Sequence, residues 1–287
     1  GRIPQDKLSF LTNSEDSIQS IQIYALHGFT GNGADFDCLR PHFEGRKASR
    51  SLPTLVWTCP SLLGHRTVPD LDCTAPAQLS HFSKQLEASH RGTIRRVLLA
   101  YSMGARLALL HACESPDFWD AIILISCHPG IKDAIERIER EKADVALASS
   151  IEKKGLSWFL PYWQSLPVIQ SQVRAPADFR IKMEKQKKKL SPHGIARCLR
   201  QFGQGVCPNL WSEAERIRCP ILCLHGAEDE KYAAIHQFFC QSLAKANRLT
   251  RSVTIPHSGH APHIENHEET AQVIESFLAK VFLSKPD

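Results

Sequence analysis

The sequence predicts an α/β fold: a mostly parallel central sheet with helices on both faces and an inserted block of helices. Three observations lead there. Short apolar runs such as Ala121–Ser126 alternate with helix-like stretches, the pattern of strands buried on both faces. One such run passes straight through Tyr101-Ser102-Met103-Gly104 into a helical pattern. From about Ile131 to Arg218 the strands stop while helical periodicity continues.

Taken in order, Ile21–Leu26 is apolar and partly β-branched and ends in His27-Gly28, which makes it the first strand. Thr54–Thr58 is a second, short strand, ended by Pro60. Ala77–Ala88 reads as an amphipathic helix, Arg96–Ala100 as a third strand, and Ala105–Cys113 as the helix beyond Ser102. Ala121–Ser126 is the fourth strand, stopped by His128-Pro129-Gly130. Pro220–Leu224 and Ser252–Ile255 are two more, with the helix Ala233–Ala246 between them. The last helix runs from about Glu268 to Phe282. Asn266 and Glu269 have capping-box spacing, and Ala271, Ile274, Phe277, Leu278 and Val281 form its apolar stripe.

The helical middle opens with Ile131, Ala134, Ile135 and Ile138 on one face. It continues through the aromatic stretch Trp158–Trp163 to a basic run with Lys182, Lys185, Lys187, Lys188 and Lys189. Helices inserted between strands of a parallel sheet would cover the strand C-termini, where such sheets bind ligands. The expected division is therefore a core in two parts, residues 1–130 and 219–287, and a helical lid, residues 131–218.

Composition narrows the function. At 287 residues the chain exceeds the roughly 150 of an average domain, yet α/β folds often run longer as one unit. With 43% hydrophobic and 23% charged residues it is expected to be ordered rather than disordered. No apolar run approaches the roughly 18 residues of a membrane span. Gly1–Lys7 lacks an apolar stretch, so no secretory signal is expected. The ten cysteines include no CxxC pair and fall in strand-like and helix-like runs, as reduced packing residues of a cytoplasmic protein would. A net charge of +5 suits an anionic small molecule and is too weak to argue for nucleic acid.

The chemistry centres on Ser102. A serine on a sharp strand-to-helix turn presents its hydroxyl above the sheet edge, provided the residues two before and two after are small. Here they are Ala100 and Gly104, giving A-Y-S-M-G. A helix N-cap serine would look the same in isolation. Three further features favour catalysis. His27-Gly28-Phe29-Thr30-Gly31 follows a strand, so the Phe29 amide can join that of Met103 as an oxyanion hole. Asp229 lies just past another strand, with Glu228 as its rival by spacing. His260 follows Gly259 after the last strand. Ser102, Asp229, His260 is the chain order of hydrolases built this way. The imidazole accepts the hydroxyl proton, and the carboxylate holds its tautomer and stabilises its charge. The alternative, a metal site from His257, His260, His263 and His267, lacks a second ligand cluster, and no metal or cofactor is expected.

Several stretches resemble one family: L-H-G-F-T-G-N-G-A-D-F (26–36), Y-S-M-G-A-R-L-A-L (101–109), H-P-G-I-K-D-A-I-E-R-I-E-R (128–140), F-L-P-Y-W-Q-S-L-P-V (159–168), G-A-E-D-E-K-Y (226–232) and I-P-H-S-G-H-A-P-H-I-E-N (255–266). The chain resembles the α/β-hydrolase-fold 2-succinyl-6-hydroxy-2,4-cyclohexadiene-1-carboxylate (SHCHC) synthases of menaquinone biosynthesis. The resemblance implies elimination of pyruvate from a cyclohexene bearing a succinyl chain, with the triad acting as base on a carbon-bound proton. It implies a small polycarboxylate substrate; charge and hydropathy lead us to expect no nucleic acid and no membrane insertion, and the oligomeric state, monomer or homodimer, stays open. It assigns substrate contacts to Tyr101, Arg106, Arg140, Trp163 and Lys189, with Lys188 a close alternative where the family has arginine. The blander readings are a surface Arg106, an Arg140 paired with Glu136, and a solvated lysine run. Ala100 and Ala105 replace family glycines. The competing readings are a serine carboxylesterase or C–C bond hydrolase with the same triad, and a non-catalytic binding protein.

Overall fold

The six described strands run parallel in a single sheet, ordered β2-β1-β3-β4-β5-β6. They are β1 (Ser20–Leu26), β2 (Thr54–Thr58), β3 (Arg95–Tyr101), β4 (Ala121–Ile125), β5 (Ile221–Gly226) and β6 (Arg251–Ile255). The computed structural model describes residues 20–45, 52–89, 95–245 and 249–283. The chain adds β2 on one side of β1 and then crosses to the other side for β3. The order therefore reverses beside β1, the place where open parallel sheets bind ligands. Register puts the strand ends on one edge: Leu26 pairs with Ala100, Tyr101 with Ile125, Ile125 with Leu224, and Gly226 with Ile255. The loops carrying Phe29, Ser102, Asp229 and His260 all leave from that edge.

Strand alternation feeds two cores. Tyr24, Leu98, Ile122 and Leu124 point to a face covered by α1 (Ala75–Ser89), α2 (Met103–Glu114) and α8 (Glu230–Leu243), through Phe82, Leu107 and Phe239. Ile23, Leu99, Ile123 and Ile125 point to the other, against Phe36, the one-turn helix α9 (Pro262–Glu265) through Ile264, and α10 (His267–Phe282) through Ile274 and Phe277. All five residues of β4 are buried, as its continuous apolar run implies.

Helix ends differ from expectation for local reasons. Helix α8 begins three residues before Ala233 because the Asp229 side chain caps it, accepting from the Tyr232 amide at 3.4 Å. Helix α10 has its cap where expected, with the Asn266 side chain accepting from the Glu269 amide at 3.4 Å.

Between β4 and β5 lie α3 (Ala134–Lys154), α4 (Leu156–Ser165), α5 (Pro167–Gln170), α6 (Ala177–Lys187) and α7 (Pro192–Phe202). Gly155, at φ +74°, makes the left-handed turn from α3 into α4. Ala148, Ile151, Phe159, Leu160, Ile195 and Leu199 form a separate small core there. The stripe expected at the start of α3 faces solvent instead: Ile135 and Ile138 are 69% and 52% exposed. Only the second half of α3, with Asp144, Ala148 and Ile151, turns inward. Among the described residues no helix is long and apolar enough to cross a membrane. All ten cysteines are free thiols.

Candidate active site

Ser102 occupies a strained turn, φ 51° and ψ −110°, that non-glycine residues rarely adopt. The surroundings enforce it. The Ser102 amide donates to the Ile125 carbonyl at 2.9 Å. Helix α2 starts immediately after, two residues before the expected Ala105, and its Gly104 packs directly on the end of β1. A Cβ there would lie 2.4 Å from the His27 carbonyl oxygen. Ala100 and Ala105 are fully buried, so their methyl groups fit the core.

The Ser102 hydroxyl lies 3.2 Å from His260 Nε2, and His260 Nδ1 lies 2.8 Å from Asp229 Oδ2. With the imidazole neutral, Ser102 donates to Nε2 and Nδ1–H donates to the carboxylate. Glu228, the rival acid, sits exposed at the cavity rim and pairs with Arg174 at 2.8 Å, not with His260. Sequence reasoning missed the groups that hold His260 in place. Ser126 Oγ donates to the His260 carbonyl at 2.7 Å. Buried Glu265 accepts from the Gly259 and Ala261 amides, both at 2.9 Å, and so brackets the histidine. The Tyr232 ring meets the imidazole edge-on, centroids 4.8 Å apart. Glu265 and Tyr232 sat within stretches that carried the family resemblance, but nothing in their spacing named a role.

The other three histidines of that loop region diverge. His263 is buried beside the Tyr101 and Phe36 rings, His267 contacts His42, and His257 is exposed. Among the described residues no three or more His, Cys, Asp or Glu side chains gather as metal ligands.

The loop after β1 is held by two buried histidines. His27 Nε2 accepts from the Leu62 amide at 3.1 Å while Nδ1 donates to the Gly28 carbonyl. His65 Nε2 accepts from the Thr30 amide at 3.1 Å, fixing Thr30 at φ +67°. Burial pushes their pKa values down to about 4 and about 3, so both rings stay neutral and can accept. The Phe29 and Met103 amides have no acceptor among the described residues. Both residues line the same cavity as Ser102 and His260.

That cavity measures about 670 Å³. Tyr101, Arg106, Arg140 and Trp163 line it. Burial raises the Tyr101 pKa well above its usual value, so the phenol stays protonated. Arg106 is half-buried and donates to the Phe202 carbonyl at 3.1 Å, so it is not a surface arginine. Arg140 pairs with Asp144 at 3.0 Å, not with Glu136. The Trp163 ring packs edge-on against Phe29, centroids 5.2 Å apart.

Lys189 requires correction. It is exposed and outside the cavity wall, and Lys188 is also exposed, paired with Glu184 at 2.7 Å. Of that lysine run, the residue that lines the cavity is Lys187. Phe179, Met183 and Lys187 follow at steps of four along α6 and share its inward face, whereas each further residue turns by about 100°. Asp35 lines the cavity as well, and burial raises its pKa to about 6 against the pull of Lys187. Burial lowers the Lys187 pKa in turn, with Asp35 opposing.

A parallel sheet that offers a serine at a strand-to-helix turn, backed by histidine and aspartate from later loops, defines the class of α/β hydrolases. The model of the Alpha/beta hydrolase family matches residues 23–273. Within that class, the chain is 30% identical over 283 residues to the putative SHCHC synthase of Bacillus subtilis, covering 96% of this chain and 97% of that protein. MenH from S. aureus superposes with a TM-score of 0.78 at 27% identity, covering 91% of this chain and 94% of that one. The chain belongs to the SHCHC synthase family of α/β hydrolases, in agreement with the resemblance read from its motifs. Protein PHYLLO, chloroplastic, of Arabidopsis thaliana is 25% identical over 95% of this chain, which spans 16% of PHYLLO's length.

Proposed function

We propose that the chain is a carbon–oxygen lyase. It eliminates pyruvate from 2-succinyl-5-enolpyruvyl-6-hydroxy-3-cyclohexene-1-carboxylate, leaving SHCHC, a step of menaquinone biosynthesis. His260, oriented by Asp229, accepts the Ser102 proton as Ser102 Oγ removes a proton from carbon beside the succinyl carbonyl. Negative charge develops on that carbonyl oxygen, where the Phe29 and Met103 amides stabilise it. The electron pair returns through the ring and breaks the C–O bond to the enolpyruvyl group. The departing enolate takes a proton from the His260 imidazolium, which returns to neutral, and the enol tautomerises to pyruvate. No cofactor enters this scheme.

The observation that carries the reading is the conjunction, in one cavity, of the Ser102–His260–Asp229 relay with cationic side chains, among them Arg106, Arg140 and Lys187. An esterase needs the relay alone; a substrate with several carboxylates needs the cations too. Tyr101 and Trp163 contribute wall and shape. In this reading residues 131–218 are the lid, and residues 1–130 and 219–287 are the core. Ten free thiols suit a reducing compartment, and we assign the chain to the cytoplasm.

The test is a coupled assay of pyruvate release, with the substrate supplied by its upstream synthase. Ser102→Ala should lower the rate by about 10³-fold or more. A wild-type rate no faster than spontaneous elimination overturns the proposal. Labelling of Ser102 by a fluorophosphonate together with ester turnover and no pyruvate would favour a hydrolase.

A further inference from the structure

We infer that Gln204 is a specificity-determining residue: its side-chain amide completes, with Arg106 and Arg140, a three-armed seat for one substrate carboxylate. The inference rests on the polycarboxylate reading above and adds a residue that motif and resemblance left unmarked.

Gln204 follows α7 and is 3% exposed, yet it lines the cavity. Its Oε1 accepts from Arg140 Nη1 at 3.2 Å. A guanidinium only donates, so this bond fixes which end of the amide is oxygen and turns the Nε2 group the other way. Nε2 is buried without a hydrogen-bond partner, and so is Nε of Arg106. Arg106, Arg140 and Gln204 all line the one cavity. Arg106 Nη2 is anchored on the carbonyl of Phe202, two residues before Gln204. Arg140 Nε is anchored on Asp144.

A buried N–H with no acceptor carries a desolvation penalty that packing does not return. Two such donors, on residues that share a cavity wall, are satisfied together by an anion with several acceptor oxygens. Arg140 already pairs with Asp144, while Arg106 has no carboxylate partner among the described residues and leaves a positive charge for an anion to neutralise. Glutamine supplies a neutral donor here, adding a hydrogen bond without further charge. It also braces Arg140 through Oε1, so the guanidinium and the amide present their free edges as one unit. Such a seat, built to donate to a carboxylate, discriminates against analogues that lack one.

The experiment compares wild type with Gln204→Leu and Gln204→Glu. The leucine variant removes the donor at similar volume; the glutamate variant keeps the shape and replaces donor by charge. In the pyruvate-release assay, KM should rise about 10-fold or more in Q204L, and further in Q204E, with kcat changed less than about threefold. The affinity for citrate, a stable tricarboxylate measured by calorimetry, should fall in the same order. Should Q204L fail to fold, the near-isosteric Q204E carries the test. A merely structural role would lower the melting temperature and leave KM and citrate affinity unchanged, which overturns the inference. Citrate binding that depends on Gln204 in a protein that releases no pyruvate would leave the seat standing and remove the lyase reading. Pyruvate release with unaltered KM in both folded variants would do the reverse.

Discussion

A methyl group at residue 104 would meet the His27 and Leu26 carbonyl oxygens at 2.4 and 2.5 Å, and neither can move without dragging the end of β1. Gly104→Ala should therefore cost more than about 3 kcal/mol, read as a lowered denaturant midpoint. A midpoint equal to wild type would show that the turn can relax. By contrast, Ala100 and Ala105 sit in the same turn region and carry their methyls at no visible cost. Spacing showed that small residues were needed around Ser102, but not which one touches backbone. Glu265 is a second residue whose part emerges only from contacts. Its two carboxylate oxygens accept the amides on either side of His260. In Glu265→Gln one of those oxygens becomes an NH₂ facing an N–H donor, so the histidine loop must shift. We expect kcat to fall about 10-fold or more with KM nearly unchanged. A drop confined to KM would show instead that Glu265 serves substrate binding.

At the scale of elements, α6 docks on the loop that carries Phe29. Asn32 Nδ2 donates to Gln186 Oε1 at 2.6 Å, and Lys182 Nζ donates to Asp37 Oδ2 at 2.5 Å. Phe179 and Met183 enter the sheet-face core, and Lys187 continues the same helical face into the cavity. Lys187→Ala should raise KM about 10-fold or more, Lys187→Arg should stay within about threefold of wild type, and Lys189→Ala should change little. Equal losses at 187 and 189 would argue for long-range field rather than contact. The lysine run was legible as a source of positive charge. Its phase was not, because Ile181, which faces solvent, competes in the sequence with Phe179 and Met183 as the marker of the buried face, and an error of two residues turns a side chain by about 200°. The start of α3 shows the same difficulty. Its isoleucines keep helical spacing, yet they face solvent because the neighbouring helix packs only on the later turns.

Across the whole molecule, the titration of buried histidines governs acid stability. Burial lowers the pKa of His27, His111 and His128 to about 4, and of His65, His236 and His263 to about 3. The unfolded chain protonates each near 6.5. Below that pH the unfolded state binds more protons than the folded one, so stability falls as pH falls from 6.5 toward 4. Asp35 acts in the opposite sense. Its pKa rises from 3.8 to about 6, so between those values the folded state holds the extra proton and gains as pH falls. Six histidines outweigh one aspartate. The melting temperature should drop by about 5 °C or more between pH 7 and pH 5. A flat or rising profile over that interval would contradict the neutral, buried state of these rings.

The sequence by itself determined the alternation of strands and helices, the helical block between β4 and β5, the serine turn and the order Ser102, Asp229, His260. These are local or periodic properties: burial on both faces demands continuous apolar strands, and a tight turn demands small neighbours. Only the tertiary structure decided between Asp229 and Glu228, brought Glu265 and Ser126 to His260, chose Lys187 over Lys189 and set Gln204 beside Arg140. Each of those choices depends on which way a side chain points across a gap between elements distant in sequence. That direction follows from helix phase and strand register, which small errors along the chain reverse.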